Sequence, residues 1–222
     1  MHPRGYRDLL SALFVTTLVV SNIIAVKIGA FGGFYLPVAV VIFPLSYVLG
    51  DIITEVYGFS AMRRTIWTGF LCNLVAVAAI MIGNMIPAAP FFEGQDAYRQ
   101  ILGSTPRILG ASFTAFLIGS FTNAMILSRL KVATKGKHLW LRTITSTVIG
   151  EGLDSLVFIS LAFWGIFAPA EVALMFVTQW AFKVCVEILV TPLTYAVVGT
   201  LKKREGTDVY DAKTSFNPFR LS

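Results

Sequence analysis

The sequence predicts an all-α, polytopic membrane protein with six transmembrane helices and both termini in the cytoplasm. Of its 222 residues, 56% are hydrophobic and only 14% are charged, whereas about a quarter of the residues in a soluble domain are charged. Apolar runs long enough to cross a bilayer recur along the chain, and most basic residues fall between these runs. The mean hydropathy of +0.75 agrees with a fold whose main solvent is lipid.

Six apolar runs reach the roughly 17–25 residues that a transmembrane helix needs. The predicted spans cover residues 9–26, 34–57, 65–86, 108–127, 143–167 and 172–201. The first run is too long for the apolar core of a signal peptide and lacks an obvious cleavage site, so we interpret it as a retained span. We expect one transmembrane domain over residues 1–204, followed by a mobile cytoplasmic tail at 205–222.

Two prolines and one long loop subdivide this pattern. Pro44 lies in the middle of the second span, and Pro192 lies near the end of the sixth. Because proline removes a backbone donor and clashes with the preceding turn, each predicts a plain kink or, as an alternative, a bend that opens a cavity. Residues 87–107 form the longest predicted outer loop, and residues 96–102 within it fit a short interfacial helix.

The basic residues predict the orientation. With the amino terminus inside, 14 of the 18 lysines and arginines fall in the inner segments. They are Arg4, Arg7, Arg63, Arg64, Arg129, Lys131, Lys135, Lys137, Arg142, Lys202, Lys203, Arg204, Lys213 and Arg220. The outer segments contain Lys27, Arg99 and Arg107, while Lys183 lies within a span. This split matches the excess of positive charge in cytoplasmic loops, and an odd number of spans would have mixed the two groups.

Six ionisable residues lie inside or at the edge of predicted spans, where a charge is expensive. They are Asp51, Glu55, Glu151, Asp154, Lys183 and Glu187. Three spans carry two each, at a spacing of three or four residues, which places both members on one helix face. If all six faced lipid, insertion would cost on the order of 10 kcal/mol or more. We therefore expect the three charged faces to meet inside the bundle.

Depth in the membrane separates these residues. At about 1.5 Å per residue, Asp154 and Lys183 lie near the midplane of a core about 30 Å thick. We expect them to form a buried salt bridge, either as a purely structural pair or as part of a ligand site. Asp51 and Glu151 are intermediate, and Glu55 is close enough to the cytoplasmic surface to reach interfacial water as an alternative. The gradient predicts a path from a central site to the cytoplasm.

Uncharged side chains could complete such a site. Asn22, deep in the first span, is the best candidate because an amide both donates and accepts hydrogen bonds. The other serine, threonine and asparagine residues of the spans are more typical of helix packing. Four phenylalanines are placed where a flat heterocycle could stack, and the sequence does not choose among them: Phe43, Phe158, Phe163 and Phe182. Paired carboxylates suit a ligand rich in N–H donors, such as a purine-like base, although a sugar or a cation would also fit.

An enzymatic function is poorly supported. The two histidines, His2 and His138, lie outside the spans, and the sequence contains no GxSxG, HExxH or Walker A pattern. An intramembrane aspartyl protease, with acids on separate spans, is the one enzymatic alternative. The sequence predicts no cofactor, no metal site and no nucleic-acid partner, since its basic residues lie in loops between apolar runs.

Four segments carry a resemblance to a known family. They are SNIIAVKI at 21–28, FPLSYVLGDIITEVYG at 43–58, LWLRTITSTVIGEGLDSLVFISLAF at 139–163 and FKVCVEILVTPLTYAVV at 182–198. The combination of GDIITEVYG with GEGLDS is specific, whereas either motif alone would be weak. With these segments the chain resembles the queuosine precursor transporters, also described as vitamin uptake transporters, over nearly its whole length.

The resemblance implies import of 7-cyano-7-deazaguanine, 7-aminomethyl-7-deazaguanine or both across the bacterial inner membrane, for salvage into the modified tRNA base queuosine. It implies a small-molecule substrate and a protein embedded in a lipid bilayer, and we leave a homodimer open. The family's motifs are matched at seven positions, which we predict to bind the substrate: Asn22, Asp51, Glu55, Glu151, Asp154, Lys183 and Glu187.

Two alternatives stay open. Small six-span proteins of about this size also serve as substrate-binding subunits of energy-coupled importers, which need ATPase partners. A membrane protein without transport activity, such as an assembly factor or the aspartyl protease, is the other. Uptake by the purified protein alone would separate the first alternative from a carrier, and binding of a 7-deazaguanine would count against the second.

Overall fold

A computed structural model of the protein describes residues 5–25, 27–31, 34–103 and 106–220. Within these ranges the chain forms an antiparallel hairpin, a 3₁₀ turn at Val38–Val41 and seven α-helices. The strands are β1 (Ile28–Phe31) and β2 (Phe34–Pro37), and the helices are α1 (Gly5–Ile24), α2 (Phe43–Tyr57), α3 (Phe59–Met85), α4 (Gln95–Leu102), α5 (Pro106–Ala133), α6 (Leu139–Phe163) and α7 (Pro169–Glu205). Arg4, the predicted end of the first span at Val26, and the last two residues of the tail lie outside the described residues.

Five helical segments are long and apolar enough to cross a membrane. They are α1, α3, the segment Gln95–Ala133 that contains α4 and α5, α6, and α7. The protein is therefore a multi-pass, all-α membrane protein, as the sequence predicts. The short helix predicted at 96–102 is confirmed as α4. Several helices extend beyond the predicted spans, since polar residues such as Arg63 and Lys131 continue the first or last turns.

The second predicted span is not one continuous helix. Its first residues form β2, which pairs with β1 from Ile28–Pro37 to Phe31–Phe34, and a 3₁₀ turn follows. Helix α2 begins only at Phe43, with Pro44 in its first turn. A proline is tolerated there because the first-turn N–H groups have no intrahelical acceptor. The kink predicted at Pro44 is therefore a helix start, and Pro192 instead lies inside α7.

Helix α2 is the most deeply buried helix of the bundle. Ten of its fifteen residues are buried, including Asp51 and Glu55. It packs against α1, α3, α5 and α7. Its length of about 22 Å is less than the roughly 30 Å of the hydrocarbon core. A short helix preceded by irregular backbone is compatible with a membrane when protein surrounds it.

Helices α5 and α6 approach each other closely at two glycines. A Cβ atom at Gly119 would lie 2.6 Å from Cβ of Asp154, and one at Gly150 would lie 2.7 Å from Cβ of Asn123. At the far end of the pair, Arg107 donates hydrogen bonds to the carbonyl oxygens of Leu161 (2.7 Å) and Trp164 (2.6 Å). The glycines therefore bring two polar side chains, Asn123 and Asp154, to the α5–α6 interface.

The tail packs against the helix ends. The carboxylate of Asp211 is buried and accepts hydrogen bonds from the backbone N–H of Phe59, at 2.8 Å, and from the hydroxyls of Ser128 and Thr214. The bond to Phe59 satisfies a first-turn donor of α3. Further hydrogen bonds run from the Val209 N–H to Val56 O (3.1 Å), from Arg63 Nη1 to Ser215 O and Asn217 O (both 3.0 Å), and from Trp67 Nε1 to Pro218 O (2.8 Å).

These contacts differ from the mobile tail that the sequence predicts. The polar composition of the tail predicts mobility because it offers little apolar surface to bury. The structure instead holds residues 208–219 through backbone carbonyls and a buried carboxylate, whose partners lie up to 154 positions away. Phe216 also packs on the apolar core.

Candidate functional site

One face of α2 carries an aromatic or acidic side chain on each successive turn. Phe43, Tyr47, Asp51 and Glu55 follow one another at intervals of four residues, so they form a stripe along the helix. The first three residues of the stripe face charged groups of α6 and α7. The last residue, Glu55, faces a different set of charges at the end of the bundle.

Lys183 of α7 forms the central ion pair. Its Nζ lies 3.1 Å from Oε2 of Glu151 and in direct contact with Oδ2 of Asp154, both on α6. The predicted salt bridge between Asp154 and Lys183 is therefore confirmed, with Glu151 as a second acceptor. The same ammonium lies 5.4 Å from the ring centroid of Phe43 and 5.6 Å from that of Tyr47. These distances are within the range of cation–π interactions.

Asp51 and Glu187 lack a comparable cationic partner. Oδ1 of Asp51 accepts a hydrogen bond from Nδ2 of Asn123 on α5 at 2.7 Å. Its other oxygen, Oδ2, has no hydrogen-bond partner among the described residues, and the same holds for Oε1 of Glu187. Three carboxyl groups, those of Glu187, Glu151 and Glu55, lie close enough to Asp51 to repel its charge. Two buried carboxyl groups from α2 and α7 thus lie within electrostatic reach of each other.

These residues form one cluster, called the central site below. Its members are Tyr47, Asp51, Asn123, Glu151, Asp154, Lys183 and Glu187. In the described part of the chain it brings four carboxyl groups together with one ammonium group. The predicted convergence of the charged faces of the second, fifth and sixth spans is confirmed for α2, α6 and α7.

Several polar atoms at this level are buried without a hydrogen-bond partner in the described ranges. They are Asp51 Oδ2, Asn123 Oδ1, Thr147 Oγ1, Ser155 Oγ and Glu187 Oε1. Thr147 and Ser155 lie one turn before and one turn after Glu151 on the same face of α6. An unsatisfied buried polar group costs about 1–3 kcal/mol. So many at one level indicate a surface prepared for a polar ligand or for water.

Glu55 belongs to a second group, called the helix-end cluster below. Its Oε1 accepts hydrogen bonds from Nη2 of Arg142 at 2.8 Å and from Nζ of Lys202 at 2.6 Å, and Nζ of Lys131 lies 3.6 Å away. The interpretation that Glu55 reaches interfacial water is wrong, since the residue is 1% exposed and is surrounded by these cations. The structure does not bring Glu55 to the central ion pair.

The tail completes the helix-end cluster through Asp208. Its Oδ1 lies 2.5 Å from Nζ of Lys131 and 2.8 Å from Nζ of Lys202. Partial burial opposes ionisation of this carboxyl, but the hydrogen bonds from the two lysines outweigh it and hold the pKa of Asp208 below its usual range. Lys131 also donates to the backbone carbonyl of Glu55. The cluster therefore joins the ends of α2, α5 and α7 and the start of α6 to the tail.

Asn22 lies at a different place. It lines a cleft between α1, α3 and the region of α4, together with Asn73, Ile80 and Leu102. The residues that line this cleft include none of the six charged residues predicted from the spans. The predicted association of Asn22 with the acidic residues is therefore not seen here.

Two parts of this arrangement were not predicted from the sequence. Tyr47 is not among the predicted site residues, although its position four residues before Asp51 places it on the same face of α2. Lys131, Arg142 and Lys202 were used only as orientation signals, because a sequence does not show that a basic residue near a helix end turns inward. Of the four candidate aromatic residues, Phe43 contacts the central site, while Phe158 and Phe163 pack edge to face with ring centroids 6.0 Å apart.

Comparisons with known proteins agree with the resemblance carried by the motifs. The "Probable queuosine precursor transporter" of Bacillus subtilis (strain 168) is 28% identical over 182 residues, which cover 80% of this chain and 78% of that protein. The "Queuosine precursor transporter" of Escherichia coli (strain K12) is 26% identical over 174 residues, covering 73% and 72%. No solved structure gives a significant match.

A known protein family also matches the chain. The family described as "Putative vitamin uptake transporter" matches residues 37–197. That range covers well over half of the chain and contains every residue of the central site. The chain therefore belongs to this vitamin uptake transporter family.

Proposed function

We propose that this protein imports queuosine precursors, 7-cyano-7-deazaguanine, 7-aminomethyl-7-deazaguanine or both, across the bacterial inner membrane for queuosine salvage. The observation that carries the proposal is the central site, where four buried or partly buried carboxyl groups gather around a single ammonium and several polar atoms have no hydrogen-bond partner among the described residues. The names of the two relatives supply the substrate class. Family membership supports a carrier rather than an enzyme.

The chemistry of the substrate fits the acceptors of the site. A 7-deazaguanine presents an exocyclic amine and ring N–H groups, all of which are donors. Glu151 and Asp154 are the first candidates to accept them, because both lie on one face of α6 and share Lys183 as a partner that a ligand could displace. The rings of Phe43 and Tyr47, which now lie over the ammonium, would then face the flat base.

The other predicted contacts have different surroundings. Asp51 and Glu187 border the same interior but do not contact Lys183 in the structure. Asn22 lines the cleft near α4, so we propose it as part of an approach route from the outer side. Glu55 is enclosed by basic side chains, so we propose that it closes the inner end of the path. The motifs predict that all seven residues bind the substrate, whereas we propose direct contact for Glu151 and Asp154 alone.

The positions of the basic residues support one orientation of the protein in the membrane. The helix-end cluster gathers Lys131, Arg142 and Lys202 at one end of the bundle, and that end carries most of the basic residues. An excess of lysine and arginine marks the cytoplasmic side. We therefore propose that both termini are cytoplasmic and that α2, with the irregular segment before it, makes the sixth crossing. We leave a homodimer open, and nothing in the proposal needs a nucleic-acid partner.

Ligand binding is the first test. Purified protein is heated in detergent with a panel of purines and 7-deazapurines, and its unfolding temperature is recorded. A ligand at about 100 times its dissociation constant stabilises the folded state by about 2.7 kcal/mol. We expect a rise with the two 7-deazaguanines and none with adenine. A panel in which no 7-deazaguanine gives a rise would contradict the proposal.

Uptake separates a carrier from a binding subunit. Purified protein alone in liposomes is expected to move labelled 7-cyano-7-deazaguanine, whereas a binding subunit would bind the compound without moving it. Asp154→Asn is expected to abolish uptake because it removes a charge from the central ion pair. Asp96→Asn, in an exposed position on α4, is the matched control. Uptake at the wild-type rate by a correctly inserted Asp154→Asn protein would remove Asp154 from the proposed site.

A further inference from the structure

Two carboxyl groups of the central site, Asp51 and Glu187, have no cationic partner among the described residues and lie on helices that pack against each other. They come from α2 and α7, and both residues are almost fully buried, at 1% and 2% exposure. Lys183, one turn before Glu187 on α7, is turned toward the two acids of α6. Two carboxylates that share a buried site do not both ionise readily, since each repels the charge of the other.

The groups that face this pair add further negative charge. Glu151 of α6 repels both members, and Glu55 repels Asp51 from the next turn of α2. From α5 comes Asn123, whose amide supplies the one hydrogen bond to Asp51. Among the described residues, the hydrogen bond that the pair receives therefore comes from one neutral donor, the amide of Asn123.

The remaining helices carry their charges elsewhere. On α1 the charged residues are Arg7 and Asp8, which pair with each other at 2.9 Å in the first turn. On α3, Arg63 lies in the first two turns and binds the tail. Both groups therefore have partners of their own. Lys183 is the ammonium of the central site, and it is already shared by two carboxylates.

The hydrogen-bonding atoms give an independent argument. Asp51 Oδ2, Glu187 Oε1 and Asn123 Oδ1 are all acceptors, and none has a donor among the described residues. A proton on one of the carboxyl groups would turn an acceptor into an O–H donor. It would also remove one charge from the membrane interior, where each charge costs a few kcal/mol. One proton therefore relieves both the charge and the missing donor.

We propose that Asp51 and Glu187 bind a proton that is transported together with the substrate. This inference rests on the proposed function and adds its energy source. The proton comes from water on the outer side, adds to one carboxylate of the pair, and leaves as H⁺ on the inner side when that carboxyl ionises again. The substrate is held next to the pair by Glu151 and Asp154, so proton and substrate occupy different carboxyl groups.

The helix-end cluster supports the direction of release. Glu55 follows Asp51 by one turn of α2, and its side chain is surrounded by Lys131, Arg142 and Lys202. Cations near the path favour the ionised form of a carboxyl group. The cluster carries three cations against the two carboxylates Glu55 and Asp208, so its net charge favours ionisation of Asp51, which returns the proton to water on the cytoplasmic side.

The first arm of the test uses wild-type protein in liposomes with labelled 7-cyano-7-deazaguanine. With the outside about one pH unit more acidic, transport of one proton with each substrate predicts about tenfold accumulation. A protonophore is expected to abolish it. Accumulation that ignores the pH gradient, or that follows a sodium gradient instead, would overturn the proposal without any variant. Absence of binding and of exchange would refute the proposed function itself, which is a different outcome.

The second arm uses Glu187→Gln and Asp51→Asn, with Glu171→Gln at an exposed position near the start of α7 as the matched control. We expect the control to accumulate substrate like the wild type, and the two variants to equilibrate it without accumulation. A folded Glu187→Gln protein that accumulates substrate tenfold would overturn the proposal. One that no longer binds substrate would assign Glu187 to the substrate site and would overturn it equally. If a variant does not fold, the wild-type arm still decides.

Discussion

The central site and the helix-end cluster are built from the same helices and lie on neighbouring turns of α2, yet their charges are balanced in opposite ways. In the central site four carboxyl groups face one ammonium, and polar oxygens are left without partners. In the helix-end cluster two carboxyl groups, Glu55 and Asp208, face the three cations Lys131, Arg142 and Lys202. Most of its polar atoms are paired, and Glu55 Oε2 and Arg142 Nε are the two without a hydrogen-bond partner among the described residues. Burial alone therefore does not distinguish a ligand site from a structural one.

The difference shows what each region is suited to do. A buried polar network whose members are mostly paired makes its surroundings rigid, whereas one with missing partners is costly until something binds. The helix-end cluster connects four helix ends and the tail, so it is suited to closing one end of the bundle. The central site keeps unpaired acceptors at the level of the predicted midplane, so it is suited to taking up and releasing a polar ligand. Variants of the two regions should therefore differ in their effects on stability and on uptake.

Removal of the Glu55 charge should have the largest effect on stability. Glu55→Gln leaves Lys131, Arg142 and Lys202 close together with only Asp208 to balance them. Breaking a buried ion pair from one side costs about 3–5 kcal/mol. We expect a clear fall in the unfolding temperature in detergent. Glu171→Gln is the matched control and should unfold like the wild type, because a glutamine oxygen can still accept the hydrogen bond that Glu171 receives from Ala168 N–H.

The corresponding charge removal in the central site should cost less stability. Asp154→Asn should lower the unfolding temperature less than Glu55→Gln does, because Lys183 keeps Glu151 as a partner, while uptake is lost. If Asp154→Asn destabilised the protein as much as Glu55→Gln, the two regions would not differ in the way proposed here.

The tail should be released by a single change at Asp211. Asp211→Ala removes the acceptor of Phe59 N–H and of the Ser128 and Thr214 hydroxyls. Hydrogen bonds to a charged group contribute about 1.5–3 kcal/mol, so we expect a loss in this range. Limited proteolysis should then cleave the tail after Glu205 faster than in the wild type. Asp8→Ala, at an exposed site on α1, is the control for a lost surface carboxylate. An equally resistant tail in Asp211→Ala would show that its other contacts suffice.

An added methyl group on α5 should lower stability more at Gly119 than at Gly110. A Cβ atom at Gly119 would lie 2.6 Å from Cβ of Asp154 and 3.1 Å from the carbonyl oxygen of Gly150, so the helices must separate. Overpacking of this kind costs about 1–3 kcal/mol and would move Asp154 away from Lys183. We expect Gly119→Ala to lose stability and uptake together.

The same helix offers a matched control for this prediction. A Cβ atom at Gly110 would meet nothing within 4 Å, and alanine is a better helix former than glycine by about 1 kcal/mol. Gly110→Ala should therefore be neutral or slightly stabilising in the same thermal assay. Equal behaviour of the two variants would mean that the α5–α6 distance does not set the position of Asp154.

Local periodicity explains which features the sequence predicts correctly. Asp51, Glu151, Lys183 and Glu187 could be assigned to common helix faces because their spacing matches the helical repeat, and the cost of charge in lipid requires such faces to meet. Short motifs also identified the family. The central site was therefore predictable as a cluster, although the division of its carboxyl groups into a lysine-bound set and a pair without a cation was not.

Long-range contacts explain the errors. Glu55 has the same spacing as Asp51, but its partners Arg142 and Lys202 lie 87 and 147 positions away, and no local pattern shows that they turn inward. The tail contacts with Arg63 are similarly distant. The hairpin before α2 was missed because a short apolar run does not distinguish strand from helix by periodicity.

The smallest expected effect lies at the exposed edge of the helix-end cluster, at Asp208. Its side chain is 40% exposed, so solvent screens its ion pairs with Lys131 and Lys202, and they contribute about 1 kcal/mol or less. The pKa of Asp208 is lower in the folded protein than its ordinary value of 3.8. The stabilisation is therefore fully present above that ordinary value and is lost as the pH falls through the folded pKa.

Asp208→Asn should therefore unfold at a slightly lower temperature than the wild type at neutral pH, and the difference should shrink as the pH falls below the ordinary pKa of an aspartate and vanish below the folded pKa of Asp208. Thermal unfolding in detergent across a pH series measures both parts. Lys213→Gln, in the same tail but outside the cluster, controls for the loss of a tail charge. A difference between wild type and Asp208→Asn that persists unchanged in acid would show that the carboxylate charge is not what Asp208 contributes. The helix-end cluster would then derive its stability from Glu55 and its three cations, without a contribution from the tail.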